Sequence, residues 1–191
     1  MCIRDRRNEI KKLPETVDGY TIKVFDDPEQ LDLEITEKAK KTDSALSRLI
    51  ATYDWEYSSK AKRRFRKYWE VEIGAWHKPW NRELKSELSQ KEKRQIKDLA
   101  WAEQPQTINE VGSTFTIQGF DLNYAGVILG PSVKYRNGKV IYDPEKSCND
   151  KAIQNRTLSD GSKQKFGEIL IQHAVLSLIH ISEPTRLLSI S

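Results

Sequence analysis

The alternation of apolar and polar positions is most regular between residues 20 and 53. Tyr20–Phe25 alternates and is rich in β-branched side chains, which predicts a strand. Residues 26–29 then supply an N-cap aspartate, a proline for the first turn and a glutamate, so a helix is expected from about Pro28 to Lys41. The apolar run Ser47–Tyr53 predicts a second strand. A strand, a helix and a strand with short joints predict a parallel α/β unit.

The chain between residues 54 and 106 has a different character. Trp, Lys, Arg and Glu are frequent there, and the apolar positions keep no sustained period. Within it, Trp69–Ile73 is expected to form a short strand, and Gln90–Ala102 a charged helix that ends before Pro105. We interpret residues 54–106 as an insertion over the sheet and not as a separate domain.

Regular patterning returns at Glu110–Ile117, which alternates and predicts a strand. Gln118–Tyr124 is expected to be a turn or a short helix. The continuous apolar run Ala125–Leu129 predicts a buried parallel strand. Asn137-Gly138 is flanked by Lys134–Arg136 and Lys139–Tyr142 and predicts a β-hairpin. Phe166–Val175 is expected to begin a helix. Together these elements predict an incomplete α/β domain with a parallel sheet.

The two ends of the chain resemble one stretch of DNA translated in opposite directions. Met1–Arg6 can be encoded by a sequence whose reverse complement encodes Leu176–Ile181. Transposase-based library preparation leaves such an inverted repeat around an insert. We therefore interpret residues 1–6 and 176–191 as translated sequencing adapter, which leaves residues 7–175 as native sequence cut at both ends.

Composition is that of a globular protein with a modest core, because 37% of the 191 residues are hydrophobic and 31% are charged. The net charge of +4 is mildly basic and identifies no partner. No apolar run approaches the roughly 20 residues that span a bilayer. Outside the predicted adapter, Cys148 is the single cysteine, which excludes an internal disulfide framework and a cysteine-based zinc site. We expect a cytoplasmic protein with no membrane partner and no metal site.

The turn before Ala125–Leu129 carries the most informative polar residues. Ligands of α/β sheets bind at the carboxyl ends of strands. Thr116, Gln118 and the backbone of Gly119 would lie there, and a hydroxyl, an amide and an open N–H suit contact with a phosphate backbone. Asp121 could accept a hydrogen bond from a hydroxyl or stabilise the turn. The same residue types fit a turn that caps a helix, so both interpretations stay open.

A second candidate is the segment Lys60–Trp69, in which cations are interleaved with aromatic residues. Lys62, Arg63, Arg64 and Arg66 could contact phosphates while the rings stack on bases. A solvated loop face explains the same pattern more simply.

Residues 114–129 resemble motif V of superfamily 1 helicases, which belongs to the second of their two RecA-like lobes. More narrowly, residues 112–131 resemble the Schlafen-group-3-like DNA/RNA helicase family of P-loop ATPases, together with Ser47–Glu56, His77–Asn81 and Trp101–Glu103 in the same order. The resemblance extends from about Leu13 to Ile171. It implies a partial second RecA-like lobe of a nucleic-acid helicase or translocase. This interpretation requires the strands on either side of the turn to be parallel neighbours.

The resemblance also implies roles for the turn. Thr116, Gln118 and Gly119 would face the nucleic-acid backbone and the cleft between the lobes, and Asp121 would lie near the nucleotide ribose. ATP and Mg²⁺ would be bound mainly by an N-terminal ATPase lobe, the expected partner of residues 7–175. The chain contains no G-x-x-x-x-G-K-[ST], and no Walker B or motif VI is recognisable. We therefore expect no ATP hydrolysis by this chain alone.

Two other functions are compatible with the sequence. The chain could be a non-enzymatic nucleic-acid-binding module that uses Lys60–Trp69. Its binding would then be salt-sensitive and lost on neutralising Lys62, Arg63 and Arg64. It could also belong to a regulatory ATPase of a defence or restriction system. DNA and RNA both fit the pattern as ligands.

Overall fold

In the computed structural model of the chain, the residues described are 2–4, 10–12, 16–17, 20–41, 46–58, 66–117, 122–137, 139–150, 156–157, 163–164, 172–173 and 186–190. The strands are β1 (Cys2–Arg4), β2 (Ile10–Lys12), β3 (Thr16–Val17), β4 (Tyr20–Phe25), β5 (Ser47–Ala51), β6 (Glu70–Ile73), β7 (Trp76–Pro79), β8 (Val111–Ser113), β9 (Tyr124–Leu129), β10 (Val133–Arg136), β11 (Lys139–Tyr142), β12 (Arg156–Thr157), β13 (Lys163–Gln164) and β14 (Arg186–Ile190). The α-helices are α1 (Pro28–Lys41), α2 (Gln90–Gln95) and α3 (Thr114–Ile117). Short 3-10 helices cover Glu83–Glu87, Trp101–Glu103, Pro105–Asn109 and Pro144–Lys146.

The main sheet has six strands in the order β3-β4-β14-β9-β5-β8. All but one of them run parallel, and β3 pairs antiparallel with β4 at one edge. α1 connects β4 to β5 and contacts both β5 and β9. This architecture confirms the predicted α/β class with a parallel sheet and is consistent with an incomplete RecA-like lobe.

β14 is an interior strand of the main sheet, and it lies within residues 176–191, which are predicted to be adapter. β14 pairs in parallel with β4 on one side and with β9 on the other. β1, at the opposite end of the chain, pairs with β2 in a separate two-stranded sheet. The adapter interpretation of residues 1–6 and 176–191 stays a prediction.

Helix α1 begins and ends at the predicted residues. At its start, Asp27 Oδ1 accepts a hydrogen bond from the Glu29 amide (2.9 Å). Leu31 and Ile35 lie one turn apart and are buried in the core. A Cβ added to Gly126 of β9 would lie 2.8 Å from Ile35 Cγ1. A glycine at this point of β9 therefore lets α1 approach the sheet closely.

The predicted strand Glu110–Ile117 is wrong in its second half, because β8 ends at Ser113 and α3 follows at once. The Phe115 amide donates to Ser113 Oγ (3.3 Å), and the Ser113 amide donates to Thr116 Oγ1 (2.7 Å). Short hydroxyl side chains offer the backbone these local bonds as an alternative to a strand ladder.

The predicted adjacency of the strands flanking this turn is also wrong. β8 and β9 are parallel, but β5 lies between them and pairs with both. All five positions of β5 are buried, as expected of an interior strand that is covered on both faces. The adjacency that the lobe interpretation required from the sequence is therefore not met, and only the second condition, a shared parallel orientation within one sheet, is satisfied.

The predicted helix Gln90–Ala102 is too long. α2 ends at Gln95, and a 3-10 helix begins at Trp101. Ile96 and Trp101 are both buried, yet five helical positions would set them about 140° apart on one helix. Ending the helix early lets both side chains reach the core.

The region after Arg66 forms the antiparallel hairpin β6–β7, of which only the first strand was predicted. Val71 and Trp80 belong to the same hydrophobic core as residues of β5 and β8. Trp76 Nε1 donates to Asp32 Oδ2 of α1 (3.3 Å). The hairpin thus packs on the main sheet and its helix, while the extent of the 54–106 insertion stays a prediction.

The hairpin around Asn137 is confirmed, with β10 and β11 paired and Asn137 at φ 52°. Gly138, residues 118–121 of the predicted turn and most of Phe166–Val175 lie outside the described residues. No helix in the described part of the chain is long and apolar enough to cross a bilayer.

Candidate functional site

The carboxyl ends of β9, β5 and β8 lie side by side, because these three strands are parallel and consecutive in the sheet. The chain that leaves them contains residues 52–55 after β5, 114–117 after β8 and 130–132 after β9. We call these segments, together with Trp80, Asn81 and Ser113, the carboxyl edge. This is the part of an α/β sheet at which ligands bind.

The hydroxyl of Thr116 is used inside its own turn. Thr116 Oγ1 accepts a hydrogen bond from the Ser113 amide (2.7 Å) and donates to the Ser113 carbonyl (2.8 Å). The side chain therefore closes the turn after β8, as in the helix-capping interpretation. Gln118, Gly119 and Asp121, the other predicted site residues, lie outside the described residues.

Asn81 is a residue of this edge that the sequence did not reveal as a candidate. Its Oδ1 accepts from Ser113 Oγ (2.7 Å), and its backbone N–H donates to the Val111 carbonyl (3.1 Å). Asn81 and Arg82 both have positive φ, 58° and 70°, a conformation that costs energy outside glycine. Asparagine tolerates this region better than most residues, which is the one local signal in the sequence. Its partner Ser113 is 32 positions away.

Asp54 and Thr52 join the loop after β5 to the loop after β9. Asp54 Oδ2 accepts from the Ser132 amide (2.7 Å), and Thr52 Oγ1 accepts from the Gly130 amide (2.8 Å). A Cβ on Gly130 would lie 2.5 Å from Asp54 Oδ2, so the two loops are in close contact. Burial raises the pKa of the Asp54 carboxyl, and the hydrogen bond from Ser132 opposes that rise.

Unpaired buried polar atoms accumulate at this edge. Among the described residues, four buried side-chain atoms have no hydrogen-bond partner: Asp54 Oδ1, Trp80 Nε1, Asn81 Nδ2 and Ser132 Oγ. A buried group without a partner typically costs about 1–3 kcal/mol. Such groups are scarce in native structures, so their concentration at one end of the sheet marks the carboxyl edge as the strongest candidate site.

Aromatic rings form a series through the same edge. The ring of Tyr53 lies 5.1 Å from that of Trp80 and 5.5 Å from that of Phe115. Trp55 contacts the other side of the series, 6.3 Å from Trp80. Trp80 is fully buried, whereas 56% of Phe115 is exposed. The series therefore connects the core to the surface.

The buried carboxylate of Glu110, the residue before β8, accepts hydrogen bonds from two other segments. Glu110 Oε1 accepts from Trp101 Nε1 (2.6 Å), and Oε2 accepts from the Leu84 amide (3.1 Å). Burial raises the pKa of Glu110, and the hydrogen bond from Trp101 opposes it. Trp101 in turn lies against β8, because a Cβ on Gly112 would be 2.7 Å from its ring and 2.7 Å from Thr116 Oγ1.

Gly112→Ala is expected to lower the free energy of unfolding by about 1–3 kcal/mol, because the new methyl group must displace Trp101 and Thr116. Urea unfolding followed by tryptophan fluorescence measures this change. Gly74→Asn is the control, since Gly74 has a positive φ with nothing within 4 Å and asparagine tolerates that backbone. Equal urea midpoints for the two variants would contradict the close contact at Gly112.

The weaker cationic candidate is only partly described. Arg66 Nη1 pairs with Glu70 Oε2 (3.1 Å) and with Glu72 Oε2 (3.4 Å). Lys62, Arg63 and Arg64 lie outside the described residues. The described cation of this group thus faces two carboxylates of β6, which gives no support to a phosphate-binding role for it.

Comparison with known proteins gives one family and one curated relative. The family model for the Schlafen group 3, DNA/RNA helicase domain matches residues 4–176. An uncharacterized protein of Saccharomyces cerevisiae, YPL245W, is 36% identical over 122 residues. That alignment covers 63% of this chain and 23% of the yeast protein, so the chain matches less than a quarter of its relative. No solved structure matches the chain.

Proposed function

This chain belongs to the family of Schlafen group 3 DNA/RNA helicase domains, and we propose that it is the second RecA-like lobe of an ATP-dependent nucleic-acid helicase or translocase. Its function is therefore related to nucleic-acid helicases. The observation that carries the proposal is the turn of Ser113–Ile117. This turn follows the carboxyl end of β8, a buried parallel strand, and it lies within the residues that match the family. Ligands of α/β sheets are bound at such a turn.

The proposed division of labour follows from the contacts of the turn. Thr116 ties its hydroxyl to both backbone groups of Ser113 and so holds the turn closed. Gln118 and the N–H of Gly119 would then be presented to the nucleic-acid backbone, and Asp121 to the ribose of the nucleotide. The affinity of this turn for the nucleic-acid strand would depend on whether ATP is bound, and ATP would be bound mainly by another lobe.

We propose that ATP and Mg²⁺ are bound mainly by that other lobe. The support for this is the sequence, which contains no G-x-x-x-x-G-K-[ST] loop to hold the phosphates. An N-terminal ATPase lobe is therefore the proposed partner of residues 7–175.

Thr116→Ala and Gln118→Ala are expected to reduce the stimulation of ATP hydrolysis by single-stranded nucleic acid in a protein that carries both lobes. A coupling free energy of ordinary size corresponds to a loss of about 5- to 150-fold. Basal hydrolysis should persist, because the phosphate-binding lobe is unchanged. Steady-state ATPase assays with and without oligonucleotide measure the effect. Thr116→Ser is the matched control, since it keeps the hydroxyl that closes the turn.

A different pattern would favour a non-enzymatic binding module. In that case both alanine variants would bind oligonucleotide normally, and neutralising Lys62, Arg63 and Arg64 would abolish salt-sensitive binding. Full stimulation in Thr116→Ala and Gln118→Ala would contradict the proposed coupling role.

A further inference from the structure

Phe115 has an exposed ring that contacts the ring of Tyr53. Its ring meets Tyr53 edge to face, at 5.5 Å and 78°. Tyr53 rests on Trp80, which is fully buried. The Phe115 amide donates to Ser113 Oγ (3.3 Å), whose hydroxyl donates to Asn81. Both the side chain and the backbone of Phe115 are therefore fixed by the carboxyl edge.

The exposure of Phe115 follows from the geometry of α3. Ile117 on the same short helix is buried (1% exposed), and Phe115 lies two positions earlier. Two helical positions differ by about 200°, so when Ile117 faces the core Phe115 faces away from it. Burying a phenylalanine contributes about 1.5–3 kcal/mol, which makes an uncovered ring at this point an available binding surface.

We propose that Phe115, supported by Tyr53, is a stacking surface for one base of a single-stranded nucleic acid. This inference rests on the proposed function, which requires a strand at the carboxyl edge. An edge-to-face contact with Tyr53 occupies at most one face of the Phe115 ring. Since 56% of Phe115 is exposed, the ring retains surface on which a base could stack. A single aromatic ring accepts any base, because every base has a π-face.

The position of the ring also fits one nucleotide. Phe115 directly precedes Thr116, whose turn is proposed to contact the phosphate backbone. A base on Phe115 and a phosphate at the following turn would belong to the same or to neighbouring nucleotides. A stacking contact carries no charge, so the salt dependence of binding distinguishes it from the phosphate contacts considered for Lys62, Arg63 and Arg64.

Binding of a fluorescein-labelled oligothymidylate to the full chain tests the inference by anisotropy over a series of salt concentrations. Phe115→Ala should raise Kd by about 5- to 150-fold, the equivalent of one lost base stack. The slope of log Kd against log salt should stay unchanged, because no cation is removed. Phe115→Trp should bind as tightly as the unsubstituted chain or more tightly.

Tyr135→Ala is the matched control. Tyr135 is also an exposed aromatic residue (44%), but it lies on the β10–β11 hairpin and not at the carboxyl edge. Its loss should leave Kd unchanged. Thermal unfolding of Phe115→Ala should match that of the unsubstituted chain within a few degrees, since the ring is mostly exposed.

Each other outcome overturns the inference in a recognisable way. An unchanged Kd in Phe115→Ala, or a reduced salt slope, contradicts base stacking. Absence of oligonucleotide binding by the unsubstituted chain also contradicts it, and the ATPase assay of the Thr116 and Gln118 variants then decides the proposed function separately. If Phe115→Ala binds oligonucleotide normally but no longer associates with the ATPase lobe, the ring is a protein contact instead.

Discussion

Deletion of residues 176–191 is expected to abolish the cooperative unfolding of the domain. The deletion removes β14, which pairs with β4 and with β9 inside the main sheet. Both neighbours would be left with unpaired backbone donors and acceptors, and such open strand edges promote aggregation. The loss would be comparable with the whole stability of a domain, about 5–15 kcal/mol. Urea unfolding followed by circular dichroism and light scattering measures it.

The deletion of residues 1–6 is the matched control. Those residues are also interpreted as adapter, but among the described strands β1 pairs with β2 and lies outside the main sheet. Their removal should change the free energy of unfolding by no more than about 0.5 kcal/mol. Replacement of residues 186–190 by a different apolar-rich strand sequence of the same length should preserve cooperativity, because the pairing is made by the backbone. A cooperative transition in the 1–175 chain would show that β14 is dispensable.

The sequence predicts an element well when the signals for it are local. Helix α1 has its capping aspartate, its first-turn proline and its buried pair Leu31 and Ile35 within nine positions of one another, and its bounds are confirmed. The apolar strands β5 and β9 are likewise confirmed, because burial on both faces requires a continuous apolar run. Such local patterns predict the fold class and the parallel direction of the strands.

Elements whose structure depends on one side chain are predicted less well. Thr114–Ile117 alternates like a strand, yet hydrogen bonds from and to the hydroxyls of Ser113 and Thr116 turn it into a helix. Periodicity describes only the apolar positions and does not include these bonds. The order of strands is also absent from the pattern, so the position of β5 between β8 and β9 could not be read from it.

The candidate site was predicted in part for the same reason. The turn after β8 was found from its polar composition and its position before an apolar strand. Asn81 contacts Ser113 across 32 positions, and Asp54 contacts Ser132 across 78. No spacing rule connects residues so far apart, and only the folded sheet brings them to one edge. The four unpaired polar atoms that mark the site come from these distant segments.

Trp80→Ala is expected to have the largest effect of any single substitution considered for this domain. Trp80 is fully buried, contacts the rings of Tyr53 and Trp55, and belongs to the core shared by β5 and β8. Truncation of a buried tryptophan to alanine costs about 3–5 kcal/mol, because the cavity is only partly refilled. Equilibrium urea unfolding measures the loss.

Trp80→Phe should cost much less than Trp80→Ala. It keeps a ring in the core and removes Nε1, a buried donor without a partner, so relief of that unmet hydrogen bond offsets part of the lost volume. Trp76→Phe is the contrasting control, since Trp76 Nε1 donates to Asp32 Oδ2 (3.3 Å) and its removal should cost about 1 kcal/mol.

Trp80→Ala should also weaken the proposed stacking at Phe115. Tyr53 would lose the ring on which it rests, and Asn81, the next residue, would lose its fixed position beside Ser113. Oligonucleotide affinity should therefore fall under conditions in which the variant is still folded, while Trp80→Phe retains it. Normal oligonucleotide affinity in a folded Trp80→Ala variant would show that Phe115 acts without support from the core. A free energy of unfolding equal to that of Trp80→Phe would contradict the packing argument.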